Sequence, residues 1–319
     1  MITDLKRAYE NSEISKKDYA EKMFSGYLEL FSYQGLMECS NVKKILIEED
    51  KIIFYIKMNN KLEKNNYIIK MIISKEDRGA IPITILTFGE YENQELNMIN
   101  KLIRYIPKGI IFDVGANLGW YTLNIKKQFP ESNIFAFEPI PQIFEKMLKN
   151  LEINGLKDIN CFNEGLYREN KFLKFYYNCI ESGASSMRDL RENEFTEEIN
   201  CKVSKLDDFM IQNNILNIDF IKCDVEGSEL FVYQGGLETI KKYKPIIFSE
   251  MLRKWSAKFG YHPNDIIDLF NEIGYRCFVI SENEMLKKFD RVDENTTETN
   301  YFFLHKEKHE QIIKELVEN

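Results

Sequence analysis

The sequence predicts an α/β fold, doubly wound around a mostly parallel sheet, with a smaller α+β unit ahead of it. Three observations carry this. From about Gly109 onward, apolar runs alternate with stretches of helical periodicity. Gly155 and Gly274 fall where a helix should stop before the next strand. The residues before about 90 lack that alternation and read as a separate unit.

In that first unit, residues 19–36 carry Met23, Tyr27, Leu30 and Phe31 at helical spacing, with Gly35 near the end. Runs 42–47, 51–58 and 67–73 are apolar and separated by acids or Asn-Asn, as in an antiparallel meander. A fourth run, 83–88, reads as a strand, and 93–103 as a helix with Leu96, Ile99, Leu102 and Ile103 on one face. Nothing catalytic is expected before residue 89, where a substrate lid, a dimerisation element and plain scaffolding are the open roles. The predicted division is 1–92 for the accessory unit and 93–319 for the main domain.

In the main domain, strands are expected at 109–114, 133–137, 159–163, 219–223, 245–249, 276–280 and 301–305, with helices at 120–128, 141–154, 227–243 and 263–273. The alternation implies right-handed crossovers. A β-like run, 171–178, and a polar segment, 179–200, interrupt it, and an insertion of that length at the top of a sheet covers a site or moves.

Composition bounds the function. The chain has 319 residues, 44% hydrophobic and 13% aromatic, enough apolar material for a core and too much for disorder. A net charge of -8 repels phosphate backbones, so no nucleic-acid partner is expected. None of the six cysteines forms a C-x-x-C pair, and Cys161 and Cys223 lie in apolar runs. Reduced thiols are therefore expected rather than disulfides or zinc. The charged N-terminus lacks a signal-peptide core and no run is long enough to span a bilayer, so a soluble cytoplasmic protein is expected.

The most informative stretch is Ile110-Ile-Phe-Asp113-Val-Gly115-Ala116-Asn117-Leu-Gly119-Trp-Tyr121. A strand ends in an acid, and a Gly-x-x-x-Gly turn then opens a helix. Such a turn lets backbone approach a ligand and offers free N–H donors. Asp113 would repel a pyrophosphate and suits a cation, such as the sulfonium and ammonium of S-adenosylmethionine. The second strand ends in Glu138-Pro139, where a carboxylate can accept both hydroxyls of a ribose. Nicotinamide enzymes share that second feature, but their G-x-G-x-x-G is absent here.

Together, D-V-G-A-N-L-G, F-E-P and K-C-D-V-E-G-S-E (residues 222–229) resemble the FkbM-type family of class I, Rossmann-like methyltransferases, over roughly residues 89–305 with the GEYE lead-in included. The resemblance implies a seven-stranded sheet with its last strand antiparallel, and S-adenosylmethionine as cofactor. It places Asp113, Gly115, Asn117 and Gly119 at the methionine moiety, Glu138 at the ribose, and Glu164, Gly165 and Leu166 beside the adenine. Glu92, Ala116, Tyr121, Pro139 and Asp224 are counted with the cofactor residues, although Trp120 and Tyr121 also suit packing against the sheet.

Asp224 and Glu226 follow the fourth strand of the alternation and Glu250 the fifth, facing the cleft where ligands of open sheets bind. A hydroxyl acceptor must lose a proton as the new bond forms. Asp224 is the first candidate for that task, with Glu226, Glu250 and His262 behind it. Asp224 and Glu250 are also candidate oxygen ligands for Mg²⁺, with no obvious third acid. Glu226 reads equally as a helix cap, and residues 182–186 (SGASS) as an acceptor loop or a linker. His305 and His309 are expected at the surface. The expected activity is O-methylation of a small molecule or glycan, a sugar hydroxyl favoured, by a protein that can pair as a homodimer. The alternatives are a non-catalytic module of the same fold and a nicotinamide-dependent oxidoreductase. A nucleic-acid methyltransferase would want an N/D-P-P-Y motif where the chain has D-V-E-G.

Overall fold

The computed structural model describes residues 2–49, 51–60, 65–73, 77, 79–178, 180, 186–188 and 196–318. Two helices come first, α1 (Ile2–Glu10) and α2 (Lys16–Glu38), then strands β1 (Val42–Ile47), β2 (Ile52–Asn60) and β3 (Asn65–Ile73). These strands form the expected antiparallel meander in the order β1-β2-β3. Helices α3 (Ile81–Phe88) and α4 (Asn93–Ile103) follow. The expected strand at 83–88 is thus a helix: β-branched residues favoured strand, but Pro82 sits in the first turn and Pro82, Ile85 and Leu86 are buried at helical spacing.

The alternating region supplies β4 (Ile110–Val114), α5 (Trp120–Gln128), β5 (Asn133–Phe137), α6 (Pro141–Ile153) and β6 (Asn160–Phe162). Strands β7 (Gly165–Leu166), β8 (Lys171–Asn178) and β9 (Thr196–Ser204) form a side sheet ordered β7-β9-β8. Then come α7 (Leu206–Gln212), β10 (Phe220–Cys223), α8 (Glu229–Gly235), α9 (Leu237–Tyr243), β11 (Ile246–Glu250), α10 (Arg253–Lys258) and α11 (Pro263–Glu272). The chain ends with β12 (Tyr275–Ile280), β13 (Leu286–Lys288), β14 (Asn300–His305) and α12 (Glu310–Leu316). The single helix expected at 227–243 is two, meeting at Gly236. There the Leu206 side chain packs so close that an added Cβ would meet its Cδ2 at 2.5 Å.

The main sheet runs β13-β12-β14-β11-β10-β4-β5-β6. It has eight strands rather than seven because Leu286, fully buried, carries β13 onto the edge as a hairpin with β12. Strand β14 runs antiparallel to β11 and β12, and the strands from β11 to β6 are parallel. Successive side chains point to opposite faces. Ile111, Ile134, Phe220 and Phe248 enter a core shared with α4–α6, while Phe112, Phe135, Ile221 and Ile247 enter one shared with α7–α9 and α11. Burial on both faces is why these strands read as unbroken apolar runs.

The meander joins the first of those cores through Phe54, Ile56, Ile69 and Met71. Its β3 strand is met by amides of α6: Ile72 N–H donates to Asn150 Oδ1 at 2.7 Å, and Asn154 both accepts from Lys70 N–H (3.0 Å) and donates to Lys70 O (2.6 Å). These contacts satisfy an edge that would otherwise be open. Helix α2 instead buries no residue and exposes Phe24, Leu28, Leu30 and Phe31. Among the described residues, no helix is long and apolar enough to cross a membrane. The five described cysteines, Cys39, Cys161, Cys201, Cys223 and Cys277, are free thiols, and Cys179 lies outside the described residues.

Candidate active site

Strand order reverses between β4 and β10, so the turns after these two strands face each other. Register brings Asp113 beside Lys222, and pairing of Cys223 with Ser249 sets Asp224 next to Glu250. Gly115, at φ +77°, is forced: a Cβ there would lie 1.8 Å from the Asp224 carbonyl oxygen. The N–H groups of Gly115 and Ala116 donate to Phe137 O, tying the turn to β5.

Lys222, buried in an otherwise apolar strand, holds the turn together. Its Nζ donates to Gly115 O at 2.7 Å and lies 3.4 Å from Asp113 Oδ1 and 3.5 Å from Asp224 Oδ2. Burial works against this ammonium, but Asp113, Asp224 and Glu92 outweigh it and raise its pKa above the ordinary value. Asp113 is fully buried and does not line the cleft. Its Oδ2 accepts from Thr122 N–H and Oγ1, at 3.1 and 2.6 Å, and so fixes the start of α5. Gly119 likewise caps α5 against Met147 and stays outside the cavity.

The cleft has two chambers that share Gly115, Asn117, Asp224 and Glu226. The smaller, about 60 Å³, is lined by Glu138, Pro139, Ile140 and Phe175. Glu138 accepts Asn117 N–H at 3.0 Å on one carboxylate oxygen and Ile140 N–H at 2.9 Å on the other. Burial pushes its pKa up to about 7. Each oxygen keeps a lone pair for a further donor. Glu164 sits apart, buried against Ser204 Oγ (2.8 Å) and Lys202 Nζ (2.6 Å). Leu166 is core, and Gly165 reaches only the far side of Pro139, where its Cβ would lie 3.5 Å from the proline. Glu164, Gly165 and Leu166 are thus not among the residues that line either chamber.

The larger chamber, about 160 Å³, is lined by Ala116, Trp120, Tyr121, Lys222 and three acids, Asp224, Glu226 and Glu250. Carboxylate oxygens of these acids lie within 4.8 Å of one another. Glu226 is the third acid that sequence spacing did not offer, brought in by a turn with φ +53° at Glu226 and +101° at Gly227. The acid in the first turn of α8 is Glu229, whose Oε1 accepts N–H from Val225 (3.2 Å) and Gly227 (2.9 Å) in the preceding turn. Burial, then the charges of Asp224 and Glu226, raise the Glu250 pKa well above the carboxylate range. Behind this wall Tyr121 OH donates to Glu92 Oε2 at 2.5 Å, and burial pushes Glu92 up to about 7.

Three histidine expectations need correction or placement. His262 does not reach the cleft: its Nδ1 accepts Asn264 N–H at 3.2 Å, capping α11 at an exposed position. His305 and His309 are buried rather than at the surface, and burial pushes His309 down to about 3. Of the 182–186 segment only Ser186 is among the described residues, and its Oγ donates to Glu226 O at 3.0 Å. Sequence reasoning missed Lys222, Tyr91 and, before residue 89, Gly79, Ala80 and Ile81, all of which line the larger chamber. A lysine inside an apolar parallel strand was the available signal for the first.

The residues present fit a cationic nucleoside. Carboxylates outnumber the single buried ammonium, Glu138 offers two free acceptor positions, and the Trp120 Nε1 in the wall is buried without a partner among the described residues. The sheet topology and the glycine turn at its switch point define a doubly wound, Rossmann-like α/β protein. A model of the methyltransferase FkbM domain matches residues 113–277, and the chain belongs to that family. It is 31% identical over 142 residues to Methyltransferase 1 of Beauveria bassiana (strain ARSEF 2860), a match covering 39% of this chain and 57% of that protein. It is 26% identical over 157 residues to the 2-O-methyltransferase NoeI of Sinorhizobium fredii (strain NBRC 101917 / NGR234), covering 45% and 63%. The crystal structure of an FkbM methyltransferase from Methylobacillus flagellatus KT superposes with a TM-score of 0.39 at 17% identity, covering 62% of this chain and 44% of that one. The chain thus spans less than two thirds of the length of each of these proteins.

Proposed function

We propose that the chain is an S-adenosylmethionine-dependent O-methyltransferase acting on a hydroxyl of a small molecule or glycan, a sugar hydroxyl favoured. The observation that carries this is the cluster of Asp224, Glu226 and Glu250 in a cleft that also presents Glu138. Family membership and the 2-O-methyltransferase among the relatives support it. S-adenosylmethionine supplies an electrophilic methyl group on a sulfonium. Glu138 holds the ribose hydroxyls, while Gly115, Ala116 and Asn117 shape the turn against the methionine end. Asp113 serves indirectly, by fixing Lys222 and the start of α5.

Asp224 takes the acceptor proton. Burial, then the charges of Asp224 and Glu226, favour the protonated form of Glu250, which eases the crowding of like charges in the cluster. A variant of the same chemistry uses Asp224, Glu226 and Glu250 as oxygen ligands for Mg²⁺, which would lower the hydroxyl pKa instead. Asp224→Asn should keep S-adenosylhomocysteine affinity and lower methyl transfer by roughly 100-fold or more; full turnover would remove Asp224 from the chemistry. Loss of turnover on chelation, restored by Mg²⁺, would select the metal variant. Free thiols support a cytoplasmic location, and the exposed apolar residues of α2 support a homodimer built through the first 92 residues.

A further inference from the structure

A second cavity, of about 760 Å³, opens between the β8–β9 ribbon and the segments around α8 and α10. Tyr167, Phe231, Phe259 and Tyr261 form one aromatic wall, with ring centroids 5.3 to 6.1 Å apart along the chain of contacts through Phe231. Among the described residues, three cations line the same cavity, Arg168, Lys174 and Arg188, and no aspartate or glutamate does. In a chain of net charge -8, a described lining with three cations is a local inversion. The Arg168 guanidinium lies 4.7 Å from the Phe231 ring centroid and that of Arg188 lies 5.8 Å from Phe259. Arg168 also pairs with exposed Glu169 and Lys174 with Glu198, whereas Arg188 has no carboxylate partner among the described residues.

The cavity is joined to the acid cluster by one loop. Glu229 accepts from Tyr261 OH (3.0 Å) in the aromatic wall and from the backbone of Val225 and Gly227, between which Glu226 stands. Gly227 packs so close to Phe259 and Trp255 that an added Cβ would meet each within 3.0 Å. Ser186, two residues before Arg188, bonds to Glu226 O. Whatever occupies the aromatic cavity therefore sits against the segment that aims the acids.

We propose that this cavity docks the acceptor, and that the acceptor is a phosphoryl-bearing ring compound of the nucleoside-diphosphate-sugar class. The phosphoryl oxygens pair with Arg168 and Arg188, which present forked donors matched to phosphate. A planar base or sugar face lies on Phe231 and Phe259. The volume is in the range of sites that bury a small organic ligand and exceeds what a lone hexose needs. The proposal rests on the O-methyltransferase reading for its role, but the binding itself can be tested apart from it.

The test is calorimetric titration of the full chain with uridine 5′-diphosphoglucose, with uncharged methyl glucoside in parallel and S-adenosylhomocysteine as a separate titrant. Uridine 5′-diphosphoglucose should bind saturably and methyl glucoside should not. The exposed double variant Arg168→Ala/Arg188→Ala should weaken the former by about tenfold while leaving S-adenosylhomocysteine affinity within about twofold. Equal binding of both sugars, unchanged affinity in the double variant, or no saturable binding of uridine 5′-diphosphoglucose at millimolar concentration would each overturn the proposal. Loss of that binding with S-adenosylhomocysteine still bound leaves the function standing; the converse result overturns the function and leaves the docking site.

Discussion

The acid cleft and the aromatic groove beside it carry opposite charges in opposite physical settings. In the cleft, Asp224, Glu226 and Glu250 cluster together, and Asp224 stands 3.5 Å from the Lys222 ammonium, itself nearly inaccessible. Little water screens these charges, so they move one another's protons and hold one another in place. In the groove, Arg168 and Arg188 stand in solvent over aromatic rings. Salt screens charges of that kind, and the apolar area beneath them does much of the binding. The net charge of the chain describes neither region. A buried field is specific and costly; an exposed one is adaptable and weak.

The largest effect should come from breaking the buried network. Lys222→Met leaves Asp113 and Asp224 without their counter-charge and should destabilise the protein by about 3–5 kcal/mol, read as a shift of the urea midpoint. Wild-type stability in that variant would mean the cleft charges are solvated after all, and the contrast with the groove would fail.

A smaller effect is set by pH. Burial pushes Glu92, Glu138 and Glu229 each up to about 7, from an ordinary value of 4.5. The folded protein therefore holds more protons than the unfolded chain between those values, so its stability falls as pH rises through that window. The apoprotein Tm should be higher near pH 5 than near pH 7.5, and Glu229→Gln should flatten the slope. Arg168→Ala/Arg188→Ala should leave it unchanged, and a slope of opposite sign would contradict the burial argument. Smallest of all, His262→Ala should cost about 1 kcal/mol, the worth of a helix cap, with kcat unaltered. A large fall in kcat would restore His262 to the chemistry.

The difference between the regions also decides what could be read from the sequence. The β4 turn, Glu138 and the acids at 224, 226 and 250 were legible because each follows a strand whose apolar run marks its end. Their mutual geometry was not. Lys222 stood out only as a lysine in an apolar strand until the register with β4 set it beside Asp113, and Glu226 became a third acid only through a left-handed turn. Asp113 was placed against the cofactor from its charge beside the glycine turn and from the family resemblance, whereas Thr122, nine residues on, holds its carboxylate at the start of α5. The groove was the least legible part. It depends on the β8–β9 ribbon and on contacts between residues as distant as Tyr167 and Phe231. Strand β9 has no alternation strong enough to announce itself, and β7 has only two residues.

The most direct test of the central claim is calorimetric titration with S-adenosylhomocysteine, run beside NAD, on the wild type and on Glu138→Ala. The account predicts micromolar, one-to-one binding of S-adenosylhomocysteine to the wild type, none to Glu138→Ala, and none of NAD to either. Binding of NAD, or S-adenosylhomocysteine affinity unchanged by loss of the Glu138 carboxylate, would contradict it.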